Sequence, residues 1–324
     1  MPHVGSKDDF DRLDPALHRR FLPDIAHRTT AEFLYHPKFS QIRRRYVFDT
    51  SAQYTAAVFP GGRQSTAYRV ITVGALISQY QAWNRDDRET YPTLIRLKRS
   101  VSIMSHTSAR QIDEHVARLV QTGYVALERT EIDGRLRLLQ PTDKLLAWES
   151  TRVASYYGIL DALYPNSGYA YAARRNPAFL RAQHTASTSI FGIIGNFLRA
   201  NSDLLPFLSM NAGGLVLMHL AVYTDDERDR MVPKDILDFF EYHFRVSRSH
   251  LRNIIITAEA ADILVRSKQK NKLPALTPRG HAAIDRFIAD TLASHDLTYR
   301  MALMELGKEL LPRPRERVAL GAEG

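Results

Sequence analysis

The sequence predicts a mainly α protein with small β-hairpins, in which one helix–helix–helix–hairpin–helix unit occurs twice and a helical segment joins the copies. Three observations predict this. Apolar residues recur at i, i+4 and i+7 through much of the chain, the spacing that gives a helix one buried face. Twice this period gives way to strand-like alternation, around residues 124–139 and 263–276. The two switches stand in matching surroundings about 140 residues apart, a faint duplication of residue types with little identity.

Upstream of the switches, helices are predicted from Tyr68 to Trp83 and Pro92 to Ile103 in the first copy, and from Leu215 to Tyr223 and Pro233 to Phe244 in the second. Pro92 and Pro233 suit a first helical turn, where a missing N–H leaves no bond unmade. A third helix follows in each copy. Ser108 opens one with Ile112, Val116 and Leu119 on a single face; Ser247 opens the other with Leu251, Ile255 and Ala258. Both serines are expected N-caps, because a hydroxyl accepts an orphan backbone N–H. Next come Gly123-Tyr124-Val125 and Asp262-Ile263-Leu264. In the first copy, Val125 and Leu127, then Leu136 and Leu138, alternate about an Asp133-Gly134 turn, which predicts a hairpin. The polar stretches end in Leu139-Gln140-Pro141 and Leu276-Thr277-Pro278, so the offset of 139 residues falls to 137 and the second hairpin is expected to be two residues shorter.

Helix, helix, a third helix and a charged hairpin make up a winged helix-turn-helix. Ser108-Ala109-Arg110-Gln111-Ile112 through Leu119-Val120-Gln121-Thr122-Gly123-Tyr124-Val125 resembles the recognition helix of MarR-type proteins and its exit into the wing. Leu276-Thr277-Pro278-Arg279-Gly280 is similar to that family's step from wing to final helix; the first copy departs there, with Leu139-Gln140-Pro141-Thr142-Asp143. The resemblance covers roughly half the chain, and two units in one chain depart from the family's usual single domain. It implies a fold that is mainly α with small β-hairpin wings: two tandem winged helix-turn-helix domains joined by a helical segment. The expected division is an N-terminal helical and basic arm region at 1–64, a first winged-helix domain at 65–148 and a helical connector at 149–211. A second winged-helix domain follows at 212–295, then a C-terminal helix and tail at 296–324. The connector, with Tyr156, Tyr157, Tyr164, Tyr169 and Tyr171, reads as packed helices, a dimer face or the lining of a ligand pocket. The apolar spacing from Pro278 to Leu311 is that of a long helix, and the resemblance implies a homodimer through it.

Composition narrows the function. The chain has 324 residues, 44% of them hydrophobic and 24% charged, enough for a large core. It has no cysteine, which excludes disulfides and thiolate metal sites. No membrane-length apolar run occurs, and the expected location is the cytoplasm, with the nucleoid. A net charge of +9 favours a polyanionic partner. Catalytic signatures of the forms G-x-x-x-x-G-K-[ST], G-x-S-x-G and H-E-x-x-H are absent, and the 12 histidines are scattered. No enzyme, cofactor or metal is expected; Gly61-Gly62 and Gly213-Gly214 read as turns or close helix contacts.

The expected partner is double-stranded DNA. A recognition helix enters the major groove N-terminus first. The first copy offers Thr107, Ser108, Arg110 and Gln111 there, and the second Ser247, Arg248, Ser249, His250, Arg252 and Asn253. Arginine grips guanine through two hydrogen bonds, and glutamine or asparagine does the same for adenine. For phosphates, the first wing offers Arg129, Arg135 and Arg137. The second offers Arg266, Lys268, Lys270 and Lys272 alternating with uncharged residues. Arg43-Arg44-Arg45 reads as a basic arm, and Arg96, Lys98 and Arg99 as backbone contacts. The expected function is a sequence-specific transcriptional regulator whose occupancy of a promoter blocks or recruits RNA polymerase. The alternatives are a plasmid-type replication initiator with tandem winged helices and a winged-helix protein-interaction scaffold.

Overall fold

A computed structural model describes residues 25–55, 58–59, 64–105, 107–130, 136–225, 233–266 and 274–307. Fourteen α-helices and two antiparallel strand pairs lie among them. Two N-terminal helices, α1 (Thr30–Leu34) and α2 (Phe39–Ser51), precede a first run of α3 (Ala67–Gln81), α4 (Leu94–Ser105), α5 (Ala109–Gln121), β1 (Val125–Arg129), β2 (Arg137–Pro141) and α6 (Asp143–Leu163). Four short helices follow: α7 (Tyr169–Ala173), α8 (Pro177–Ser187), α9 (Phe191–Ala200) and α10 (Leu205–Ser209). The second run is α11 (Gly213–Asp225), α12 (Pro233–Phe244), α13 (Arg248–Ala260), β3 (Leu264–Val265), β4 (Ala275–Leu276) and α14 (Pro278–Glu305). The order helix, helix, helix, strand pair, helix therefore occurs twice.

The duplication extends to individual hydrogen bonds. Ser108 Oγ accepts from Gln111 N, and Ser247 Oγ from His250 N, capping α5 and α13 alike. Past these helices the chain turns through left-handed backbone at Gly123 (φ 74°) and at Asp262 (φ 56°). The N–H groups of Gly123 and Tyr124 donate to Val120 and Leu119 carbonyls, at 3.1 and 2.8 Å. Those of Asp262 and Ile263 donate to Glu259 and Ala258, at 3.1 and 2.9 Å. A threonine then fastens each strand pair: Thr142 N–H donates to Tyr124 O and Thr277 N–H to Ile263 O, both at 3.0 Å. Their hydroxyls donate to Gly123 O at 2.8 Å and Asp262 O at 2.6 Å.

These threonines correct the expected register. Leu264 pairs with Leu276 where Val125 pairs with Pro141. Thr277 thus matches Thr142 and not Gln140, and the second hairpin is shorter by four residues instead of two. Leucine-x-proline occurs after both hairpins, but hydrogen bonding selects the threonine. A further correction concerns Pro92. It lies before the first turn of α4, in a segment whose Thr93 bridges to Leu138 and whose Pro92 carbonyl accepts from Leu139 N at 2.8 Å. In α13 the buried residues are Leu251, Ile254 and Ala258; Ile255 is half-buried and Ile256 is 49% exposed.

The core runs without interruption from α1 to α14. α14 lies along α8 and α1, α2 packs on α6 and α11, and α3 on α8 and α4. Helices α6 and α14 run unbroken through positions 148 and 295. Both are needed whole: Trp148 and Tyr157 on α6, and Ile288 and Tyr299 on α14, are core residues on either side of those positions. The glycine pair at 213–214 is a close contact, for a Cβ on Gly213 would stand 2.5 Å from Phe207 O.

Buried ion pairs tie the bundle together. Arg43 donates to both oxygens of Asp285, at 2.8 and 3.0 Å. Asp296, fully buried, accepts from Arg28 N (2.5 Å), Tyr169 OH (2.6 Å) and Arg300 Nε (3.2 Å). Glu149 receives Arg152 at 2.6 and 2.7 Å, with His184 Nε2 at 3.7 Å and Ser78 Oγ on the far side of that ring. Burial works to raise the Glu149 pKa, but the Arg152 charge and its hydrogen bonds outweigh it and hold the carboxyl below its ordinary range.

Candidate nucleic-acid interface

Helix α5 begins with an exposed run, Ser108, Ala109, Arg110 and Gln111, while Thr107 is half-buried. Ile112, Val116 and Leu119 face the core, so the opposite face with Arg110, Glu114 and Arg118 is left outside. Arg110 is held by Glu114 at 2.8 Å, one turn on. Gln111 is spent on the helix itself: its side-chain oxygen accepts from Ser108 N at 3.2 Å, closing a capping box. His115 is buried on the inner face, where burial first, then Arg69 and Arg118, press its pKa down to about 3.

Helix α13 presents Arg248, Ser249, Arg252 and Asn253 to solvent. Arg248 reaches back to α12, to Asp238 at 2.9 Å and Glu241 at 3.0 Å. Ser249 Oγ and Ser247 Oγ lie 3.0 Å apart. His250 Nε2 donates to Asn211 O at 2.8 Å, tethering the start of α13 to the loop before α11. Arg252 and Asn253 are exposed, and Arg252 takes part in no ion pair among the described residues. Ile256 stands one turn beyond Arg252 on the same face; the apolar run Ile254-Ile255-Ile256 hid it, since only packing shows which of the three is turned outward.

At the loop end of the first strand pair, Arg129 stands directly opposite Arg137. Both are exposed and neither is ion-paired among the described residues, although like charges placed across a ladder repel. The second pair begins differently, with Arg266 held by both oxygens of Glu259 at 2.8 and 3.0 Å. Arg135, Lys268, Lys270 and Lys272 lie outside the described residues.

The other basic clusters are drawn into the fold. Arg43-Arg44-Arg45 forms part of α2 and no extended arm: Arg43 is buried on Asp285, Arg44 covers the Phe48 ring and Arg45 pairs with Asp49 at 3.1 Å. Arg96 donates to Thr90 O and Lys98 pairs with Asp113 at 3.1 Å, leaving Arg99 as the exposed member of that group. Among the described residues no cluster of three metal-ligating side chains occurs, and no helix is long and apolar enough to cross a membrane.

The fold and the surface define a helical chain with a repeated unit that holds a helix start and the loop end of a strand pair outward. No protein-family model matches the chain, and neither does any curated protein or solved structure.

Proposed function

We propose that the chain binds double-stranded DNA through two winged-helix units and acts as a sequence-specific transcriptional regulator. The observation that carries this reading is the Arg129–Arg137 pair: two exposed arginines paired directly across the ladder, neither held by a carboxylate among the described residues. Fold stability gains nothing from such a pair, whereas a phosphate on the duplex backbone would bridge it. Arg252 and Asn253 on the outer face of α13 add the chemistry for base edges, with Ile256 beside them for a thymine methyl. In this mechanism the strand-pair arginines fix the register on phosphates and α13 reads sequence. Arg110, Arg248 and Arg266 exchange a carboxylate partner for a phosphate on binding, a near-even exchange that adds little affinity. Promoter occupancy then excludes or recruits RNA polymerase, and a homodimer would double the half-sites. Apart from the shared serine caps Ser108 and Ser247, the units differ at their base-facing positions, so their half-sites differ too.

The test is duplex binding by fluorescence anisotropy across a salt series. Arg129→Ala with Arg137→Ala is expected to weaken selected and random duplexes alike and to flatten the log–log salt slope by roughly 2, about 0.9 per phosphate contact. Arg252→Ala is expected to lose about 1–3 kcal/mol of discrimination between selected and random sequence, with the slope kept. Failure of the intact chain to bind any duplex at low salt would overturn the proposal. The scaffold reading has one observation in its favour: Tyr242 and Ile256, on α12 and α13, are 68% and 49% exposed, as anchors for a protein partner would be.

A further inference from the structure

Between α2, α3, α6, α9, α11 and α14 lies a partly enclosed cavity of about 260 Å³. Protein interiors close such spaces, and an empty one lined by hydrocarbon forfeits a large part of a domain's net stability. Its walls are mostly apolar, with Val70 from α3, Ile194 and Phe197 from α9, Met218 from α11 and Phe287 from α14. One part of the lining is polar. There Tyr46, Tyr54, Tyr156, Arg152 and His295 meet, with the Tyr46 and Tyr156 ring centroids 5.8 Å apart.

The charge there is already balanced, because Glu149 takes Arg152 through two hydrogen bonds. A second anion would have to compete with it. His295 adds a directional feature. Its Nδ1 lies 2.8 Å from Thr291 O, and a carbonyl only accepts, so Nδ1 carries the proton and Nε2 is left as an acceptor. The ring lies against Tyr156, with centroids 4.0 Å apart and the planes tilted by 31°, which fixes its direction. Burial keeps it neutral, with its pKa lowered to about 4. Benzene fits a hydrocarbon cavity of ~150 Å³, so this one has room for about ten non-hydrogen atoms.

We propose that this cavity is a binding site for a neutral, largely hydrocarbon alcohol, its hydroxyl donating to His295 Nε2 and accepting from the tyrosine hydroxyls. The site joins the first helix of each repeat, α3 and α11, through one ligand. It stands apart from the DNA-binding reading, since its walls share no residue with the proposed interface.

The full-length chain is titrated with 1-naphthol and with 1-methoxynaphthalene, which keeps the oxygen but lacks the donor, each followed by fluorescence and by the shift in Tm. One molecule of 1-naphthol per chain is expected, bound about tenfold more tightly than the methyl ether. His295→Phe keeps an aromatic ring against Tyr156; it is expected to erase that tenfold preference while changing methyl ether binding by less than twofold. Ile194→Trp fills the cavity and is expected to weaken both probes at least tenfold, with unchanged helical circular dichroism and an equal or higher Tm. If that variant fails to fold, Val70→Phe takes its place with the same expectation. Equal affinity for both probes, no saturable binding of 1-naphthol, or full binding by a folded cavity-filled variant would overturn the proposal.

Discussion

Asp296 shows how much one residue carries. It is fully buried, and Arg28 N, Tyr169 OH and Arg300 Nε all converge on its two oxygens. Asp296→Asn keeps the shape but leaves Arg300 a buried cation without its counter-charge, so about 3–5 kcal/mol of stability should be lost in urea unfolding. Asp262 is the opposite case. It adopts φ 56° at the place where the first repeat has Gly123 at φ 74°, and a side chain there is strained. Asp262→Gly is therefore expected to stabilise by about 0.5–1 kcal/mol, visible as a rise in Tm. The exposed arginines separate on the same scale. Arg248 and Arg266 have acidic neighbours within 3.0 Å, whereas Arg129, Arg137 and Arg252 have none among the described residues, and the second group carries the proposed binding.

Among the elements, the step from β4 into α14 has the least tolerance. A Cβ on Gly280 would lie 2.3 Å from Ile263 O and 2.7 Å from Leu276 Cδ2, so the second strand pair and the first turn of α14 touch through that glycine. Gly280→Ala should force them apart, lowering stability by roughly 2–4 kcal/mol, the range of core overpacking and backbone strain. Circular dichroism melts would show it, and an unchanged Tm would mean that the contact is looser than these distances. In the first repeat Leu145 takes the corresponding place and is fully buried, so the two steps reach the same topology by different packing. Helix α2 makes a related point. Its three consecutive arginines look like a basic arm in one dimension, but α2 lies against α6 and α11, and each arginine meets a different neighbour.

Across the whole molecule, buried histidines govern the response to acid. Burial lowers His115 to about 3, with Arg69 and Arg118 adding to it; it lowers His219 to about 3, with His243 adding; and it lowers His295 to about 4, where Arg152 lowers and Thr291 O and Glu149 partly oppose. Each is neutral when folded and takes up a proton near pH 6.5 when unfolded, so its contribution is complete above that pH and is lost as pH falls toward the folded values. By pH 4.5 each should have withdrawn about 2–3 kcal/mol, and three together approach the net stability of a domain. Cooperative unfolding is expected between pH 6 and 4, measured by near-ultraviolet circular dichroism. His219→Phe, inside its cage of Phe48, Phe239, Phe240 and Phe244, should flatten the stability–pH slope by one proton. A slope unchanged by that variant would show that His219 is not among the groups titrating.

The sequence by itself determined what depends on neighbours within a few turns: where the helices run, the serine caps of α5 and α13, the strand pairs after them, and the repetition of the whole order. Periodicity and capping act over three to seven residues, and a linear reading sees that distance. Only the tertiary structure decided which cations remain exposed, because Arg43 finds Asp285 across 242 residues and Arg279 finds Asp203 across 76. It also decided that Ile256 faces outward, that Thr277 and Thr142 set the register of the second hairpin, and that a cavity opens between the first helices of both repeats. Those outcomes depend on contacts between segments far apart in the chain, and residue spacing carries no record of them.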